Sequence, residues 1–166
     1  MWQRLLVAAY ARSPERPRRA VVRLLTPGYR VGVLAVVTRG DGRVLLVDQP
    51  YTAGWALPGG DLKRGETVGE GLARELREEV GLDVAVPEPV LAAQRPHDRW
   101  VTFVARVDVT DAVGQRLRPC SAELSRVGWY APGALPPLDP DVVAPLRLAG
   151  VPVVLDGQRE SAPGPL

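Results

Sequence analysis

Three carboxylates, Glu75, Glu78 and Glu79, crowd into little more than one helical turn of the stretch GGDLKRGETVGEGLARELREEVGL, residues 59–82. Spaced at about 100° per residue, Val68, Leu72, Leu76 and Val80 form one apolar stripe that should pack on a sheet. Glu79 overlaps the edge of that stripe, Glu75 lies beside it and Glu78 stands further round the same flank. Arg74, Arg77 and Glu70 fall on the outer side, where long charged groups are normally solvated. Glu75 and Glu79 are like charges four residues apart, which is mildly unfavourable, and partial burial makes bare carboxylates costlier. A cation between them would resolve both costs. Hard divalent cations take oxygen ligands, and Mg²⁺ in particular is held by one or two carboxylates with water and substrate phosphates completing its shell. The alternative is an ordinary soluble helix face held by Glu70–Arg74 and Arg74–Glu78 pairs at four-residue spacing.

Gly71 falls in the middle of the acidic sector, where a missing side chain would leave room for metal and substrate. Plain helix packing against a neighbour is its other explanation, since a mid-helix glycine costs only about 1 kcal/mol relative to alanine. Ahead of the helix, LPGGDLKRGE carries glycines at 59, 60 and 65, which allow a tight turn whose backbone groups can face a metal or a phosphate.

Taken together, Gly60, Glu66, Arg74, Glu75, Leu76, Glu78, Glu79, Gly81 and Leu82 satisfy every fixed position of GX5EX7REUXEEXGU, where U is aliphatic, so that residues 60–82 resemble the signature of the Nudix hydrolase family. A looser resemblance runs from YRVGVLAVVT through GWALPGG to SAELSRVGWY, residues 29–130, and leaves residues 1–28 outside it. The resemblance implies an α/β fold, an α/β/α sandwich with a mixed β-sheet, and hydrolysis of a nucleoside diphosphate linked to another moiety. It implies Mg²⁺ or Mn²⁺ on Glu75, Glu78 and Glu79, with the Gly60 carbonyl as a further ligand and Glu66 holding Arg74. The metal would polarise a phosphoryl oxygen and help deprotonate water. Glu78 and Glu123 are both candidates for the general base.

Lys63 and Arg64 depart from the acidic or neutral residues usual at that loop position and would add positive charge beside the phosphate path. Tyr51 and Trp100 are candidates to stack on a nucleobase, with simple packing as the alternative, and Trp55 and Trp129 are expected to pack. The segment AAQRPHDRW loosely resembles one found in NADH and ADP-ribose pyrophosphatases, where His97 is a candidate substrate contact, with an incidental loop histidine as the alternative. Competing functions are a nucleoside triphosphate pyrophosphohydrolase and a non-catalytic ligand sensor, although a sensor is expected to lose one of the acids. An isopentenyl-diphosphate-isomerase-like enzyme needs a reactive cysteine before the signature, whereas Cys120 lies after it.

The elements that must position these groups are legible from pattern. Tyr29–Thr38 is β-branched and apolar, RGDG turns the chain, and RVLLVDQ completes a hairpin. PYTAGWALPGG is a loop ending in a short strand, and Glu66–Val80 is a helix. Strands are expected at 88–95, 99–109 and 125–130, with a closing helix at 140–149.

Across 166 residues, about one domain's worth, no apolar run approaches the length needed to span a bilayer. A single cysteine excludes an internal disulfide and fits a reducing compartment, so the cytoplasm is expected. Seven arginines against Glu15 alone give residues 1–30 a charge of +6, leaving −4 for the rest of a chain whose net charge is +2. Basicity so local argues against a nucleic-acid-binding face on the main domain, so no stable nucleic-acid partner is expected, although a basic N-terminal arm could touch an acidic surface. A small-molecule nucleotide is the partner that the Nudix resemblance implies.

The chain is expected to comprise a basic helical extension at 1–28, a catalytic domain at 29–155 and a disordered tail at 156–166. Residues 2–11 and 17–25 suggest short helices that are retained, since arginine stands where a signal cleavage site would sit. Their apolar residues Trp2, Leu5, Leu6, Val21, Val22, Leu24 and Leu25 are too few to fold alone and should dock on the catalytic domain or on a second subunit in a homodimer. A peripheral membrane surface is the alternative. Deleting residues 1–26 is therefore expected to lower the melting temperature or change the sedimentation coefficient, and a truncated chain unchanged in both would rule out docking.

Overall fold

A computed structural model of the chain describes residues 14, 28–86, 91–95 and 99–153, with backbone alone at 91–95. The expected N-terminal helices, the 156–166 tail and His97 lie outside the described residues. The chain divides into units 1–30 and 31–166, and the second carries the acidic helix.

Among the described residues there are six strands: β1 (Arg30–Arg39), β2 (Val44–Asp48), β3 (Gly59–Asp61), β4 (Leu91–Arg95), β5 (Trp100–Val109) and β6 (Arg126–Tyr130). They form one sheet in the order β4-β5-β1-β2-β6, with β3 also paired to β1. β1 carries two antiparallel partners because it is long: Thr38 faces Val44 of β2, while Gly32, Val33 and Leu34 face Asp61, Gly60 and Gly59 of β3. β2 pairs antiparallel with β6, β4 pairs antiparallel with β5, and an isolated parallel bridge joins Trp55 to Leu138. The expected α/β class holds, and each expected strand falls within a few residues of its predicted span.

The helices are α1 (Val68–Val80), α2 (Asp111–Gly114) and α3 (Pro140–Leu148). α1 starts two residues later than the apolar pattern suggested. Thr67 takes the N-cap and forms a reciprocal capping box with Glu70, which excludes Glu66 from the helix. Its end is set by Gly81, left-handed at φ 72°, whose N–H reaches Arg77 O while the N–H of Leu82 reaches Leu76 O. The expected stripe is the buried face: Leu72, Leu76 and Val80 join Val33, Val36, Leu45 and Leu46 in the core, with Val68 partly buried against it. From the other end of the chain, Val142 and Leu146 of α3 enter the same core. Trp55 meets Tyr130 edge-on at 5.0 Å, and Trp129 donates to Gly114 O at 3.1 Å, so both tryptophans pack as expected.

Gly59 is the tightest point between β3 and β1. At φ 148°, a Cβ there would lie 2.0 Å from Val33 O and 2.9 Å from Leu34 Cα, both backbone atoms that cannot swing aside. At Gly71 the first obstacle is the end of a flexible side chain, Leu62 Cδ1, at 2.6 Å. Gly59→Ala is expected to cost well over the roughly 1–3 kcal/mol of backbone strain alone. Gly71→Ala should cost much less, because about 1 kcal/mol of helix propensity opposes the displacement of Leu62. Chemical denaturation of the two variants checks that order.

Candidate active site

α1 lays its acidic flank beside the β3 turn. Glu66, just outside the helix, is the first fixed point. Its Oε2 accepts the Lys63 N–H at 2.8 Å, and its two oxygens take Arg74 Nε at 2.7 Å and Nη2 at 3.0 Å. This two-pronged pairing holds the Glu66 carboxyl down to about 2 and pushes the guanidinium up. The remaining Arg74 donors reach Glu75 Oε1 at 2.7 Å, Glu78 Oε2 at 3.3 Å and Asp61 O at 3.2 Å. The expected pairing of Glu66 with Arg74 is therefore present in the geometry.

Arg74 itself departs from expectation. Its side chain is only 14% exposed, folded across the acids rather than standing on the solvated side. The reason is Gly71, one turn earlier, where a Cβ would lie 3.3 Å from Glu66 Oε2 and clash with Leu62. The missing side chain seats Leu62 and Glu66 against the helix, so Gly71 serves packing rather than an opening for substrate. Nor does Glu70 pair with Arg74, because its carboxylate closes the capping box on Thr67.

The three acids occupy different environments. Glu78 is half exposed and has Lys63 Nζ 3.9 Å from Oε1. Glu75 is largely covered and lies against Gly60, where a Cβ would stand 2.6 Å from its Oε1. Glu79 is 5% exposed. It takes the Gly59 N–H on Oε2 at 2.8 Å and Gln49 Nε2 on Oε1 at 3.3 Å. Burial pushes its carboxyl up to about 7, the charges of Glu75 and Glu123 push the same way, and the two donors oppose them.

Glu123 reaches this cluster through the chain between α2 and β6. There the Cys120 N–H donates to Glu79 O at 2.8 Å, and the Ser125 N–H donates to Asp48 O at 2.8 Å. These bonds tie the segment to the end of α1 at one side and the end of β2 at the other. The Tyr51 hydroxyl donates to Glu123 Oε2 at 3.3 Å. Burial and the charges of Glu123, Glu79 and Glu75 raise that phenol above its ordinary value.

Trp100 lies over Gly32 of β1, its indole Nε1 2.7 Å from where a Gly32 Cβ would stand, with Gly60 O 3.6 Å from the same point. Lys63 and Arg64 lie exposed on the turn between β3 and α1, with Lys63 drawn toward Glu78. Sequence reasoning missed Gln49 and the Gly59 amide. The available signal for Gln49 was the second polar residue after the apolar run VLLV, one beyond Asp48, where the strand ends.

A model of the NUDIX domain matches residues 28–148. Over 106 residues the chain is 35% identical to a MutT-like protein of Streptomyces ambofaciens, covering 64% of this chain and 66% of that protein. Over 107 residues it is 34% identical to an 8-oxo-dGDP phosphatase of Homo sapiens, covering 63% of this chain and only 33% of that protein, so it spans about a third of that relative's length. A MutT Nudix hydrolase from Burkholderia pseudomallei superposes with a TM-score of 0.59 at 28% identity, covering 74% of this chain and 98% of that one. The domain match takes in every signature residue from Gly60 to Leu82, and the chain belongs to the Nudix family.

Proposed function

We propose that the chain is a divalent-metal-dependent pyrophosphohydrolase of a nucleotide substrate. The observation that carries this reading is Glu79, a carboxylate 5% exposed that shares a helix flank with Glu75 and feels the charges of Glu75 and Glu123. Two neutral donors do not supply the counter-charge that an ionised buried acid requires. Mg²⁺ or Mn²⁺ fits the donor set in kind, since Glu75, Glu78, Glu79 and the Gly60 carbonyl offer only hard oxygens. Among the described residues no three acidic side chains converge as they stand. Arg74 draws Glu75 and Glu78 toward itself, so both carboxylates must turn toward Glu79 to complete a site. The ion would be held by Glu75, Glu78 and Glu79, and when bound it supplies polarisation of a phosphoryl oxygen and an acidified water.

The chain's own groups supply the rest. Glu66 keeps Arg74 in place and so orients the acidic flank, while Lys63 and Arg64 present positive charge to substrate phosphates. Glu123 suits the general base, because Tyr51 occupies one of its oxygens and leaves the other to take a proton from water. Glu78 has a cation near each of its oxygens. Tyr51 then acts through its hydroxyl rather than as a stacking platform, and Trp100 borders the Gly60 side of the site.

A nucleoside diphosphate linked to another moiety, ADP-ribose or a nucleotide sugar, is the leading substrate, cleaved to a nucleoside monophosphate and the phosphorylated moiety. A nucleoside di- or triphosphate is the second reading, favoured by the likeness to the human 8-oxo-dGDP phosphatase. Chromatography of products from a panel of these compounds with Mg²⁺ or Mn²⁺ decides between them. Phosphate or pyrophosphate release from simple nucleotides, with every linked diphosphate inert, would transfer the assignment to the second. No hydrolysis of any compound, with nucleotide binding retained, would instead leave the ligand-sensor reading.

Glu79→Gln is expected to lower turnover by about two orders of magnitude or more. Glu70→Gln preserves the capping box and should leave turnover unchanged, because glutamine closes that box as glutamate does. The metal-free protein should also carry a pH signature. A carboxyl raised to about 7 on folding binds protons more tightly in the folded chain, so stability is greatest below the ordinary carboxylate range and declines as pH rises toward 7. The decline should approach about 3 kcal/mol. Denaturation in EDTA between pH 5 and 8 should show it in the parent chain and a flatter profile in Glu79→Gln, and Mn²⁺ should restore the parent's stability at pH 8.

A further inference from the structure

Gln49 lies one residue beyond β2, outside the signature, and is only 9% exposed. A buried amide needs partners, and the one its side chain finds is the buried acid: Nε2 donates to Glu79 Oε1 at 3.3 Å. With the Gly59 N–H on Oε2 at 2.8 Å, each oxygen of Glu79 receives one donor, from the end of β2 and from the start of β3. Only the remaining lone pairs of that carboxylate are open to Glu75, Glu123 or an ion. The chemistry of the donor matters as much as its place. Arg74 and Lys63 bring full charge to Glu75 and Glu78 and compete with any cation for them, whereas an amide orients Glu79 without neutralising it.

The backbone beneath Gln49 is itself fixed. Its carbonyl accepts the Thr52 N–H at 3.2 Å and lies 3.0 Å from the Thr52 hydroxyl. The preceding Asp48 carbonyl takes the Ser125 N–H of the segment that carries Glu123. Gln49 therefore sits on a braced strand end rather than a free loop.

We infer that Gln49 is a positioning residue for the metal site, its side-chain amide setting the rotation of the Glu79 carboxylate so that the open lone pairs face Glu75. This rests on the metal-binding reading given above. The test is Mn²⁺ binding to the full chain, followed by electron paramagnetic resonance of the free ion, so that no substrate or turnover enters. Gln49→Met keeps length and bulk and removes the donor. Its Mn²⁺ dissociation constant is expected to rise about 10-fold or more, the usual effect of losing a group that orients a metal ligand. Gln49→Asn keeps a polar amide but withdraws it by one carbon, and it should show the same loss, which decides the matter if the methionine variant does not fold. Val47→Ala, a core lesion two residues away, should lower the melting temperature without weakening Mn²⁺.

Unaltered Mn²⁺ affinity in folded Gln49→Met or Gln49→Asn would overturn the role of Gln49 alone. So would an equal loss in Val47→Ala, since general loosening would then explain the effect. A parent chain that binds no Mn²⁺ would overturn the metal reading itself and this role with it.

Discussion

A single carboxylate on the wrong side of a helix is the constraint around which this domain is organised. Glu79 falls at the edge of the stripe formed by Leu72, Leu76 and Val80, so the packing that buries those side chains also draws the acid out of water. Desolvation of a charged group is among the costliest local arrangements a fold can adopt, and it persists only where the surroundings impose it. Here the surroundings are the Gly59 amide and the Gln49 side chain, which ease the cost without removing the charge. A helix kept for surface solubility alone would have no reason to maintain such a group.

The second organising contact is the grip of Glu66 on Arg74. It crosses from the turn after β3 to the middle of α1, and Arg74 extends it to Glu75, Glu78 and the Asp61 carbonyl. One guanidinium thus holds the turn, two acids and the helix in a fixed relation, which a lysine with its single point of charge would not do. Gly71 makes the arrangement sterically feasible by leaving Leu62 and Glu66 a place against the helix.

The glycine pair before the helix has two distinct duties. Gly59 lets β3 press on β1 and turns its N–H onto Glu79, and Gly60 admits the Glu75 carboxylate next to the backbone. Glu123 arrives from another part of the chain, because the segment bearing it is hydrogen-bonded to the last turn of α1 and to the end of β2. The site is thus assembled from a local cassette and an imported acid, in keeping with chemistry grafted onto a common fold.

Local pattern alone determined the helix with its apolar stripe, the hairpin of β1 and β2, the later strands and the closing helix. Each depends on periodicity or turn chemistry among neighbouring residues, and that is why they were legible. The same holds for Glu75, Glu78 and Glu79 as one flank, whereas Glu66 as the holder of Arg74 followed only from the resemblance of residues 60–82 to the Nudix signature. The angular projection misplaced Arg74, because it fixes where a Cβ points and not which distant carboxylate a long side chain will fold back to meet. It also could not tell that Gly71 seats Leu62, that Gln49 and the Gly59 amide share Glu79, or that Tyr51 turns its hydroxyl toward Glu123. Gly71 and Leu62 are close in sequence, but the contacts to Glu79 and Glu123 join residues 20 to 72 positions apart, and the pairing of β3 with β1 and the tethering of the 118–125 segment bring them together. Desolvation, which gives Glu79 its altered proton affinity, is likewise a property of everything packed around the group, and no window of sequence contains it.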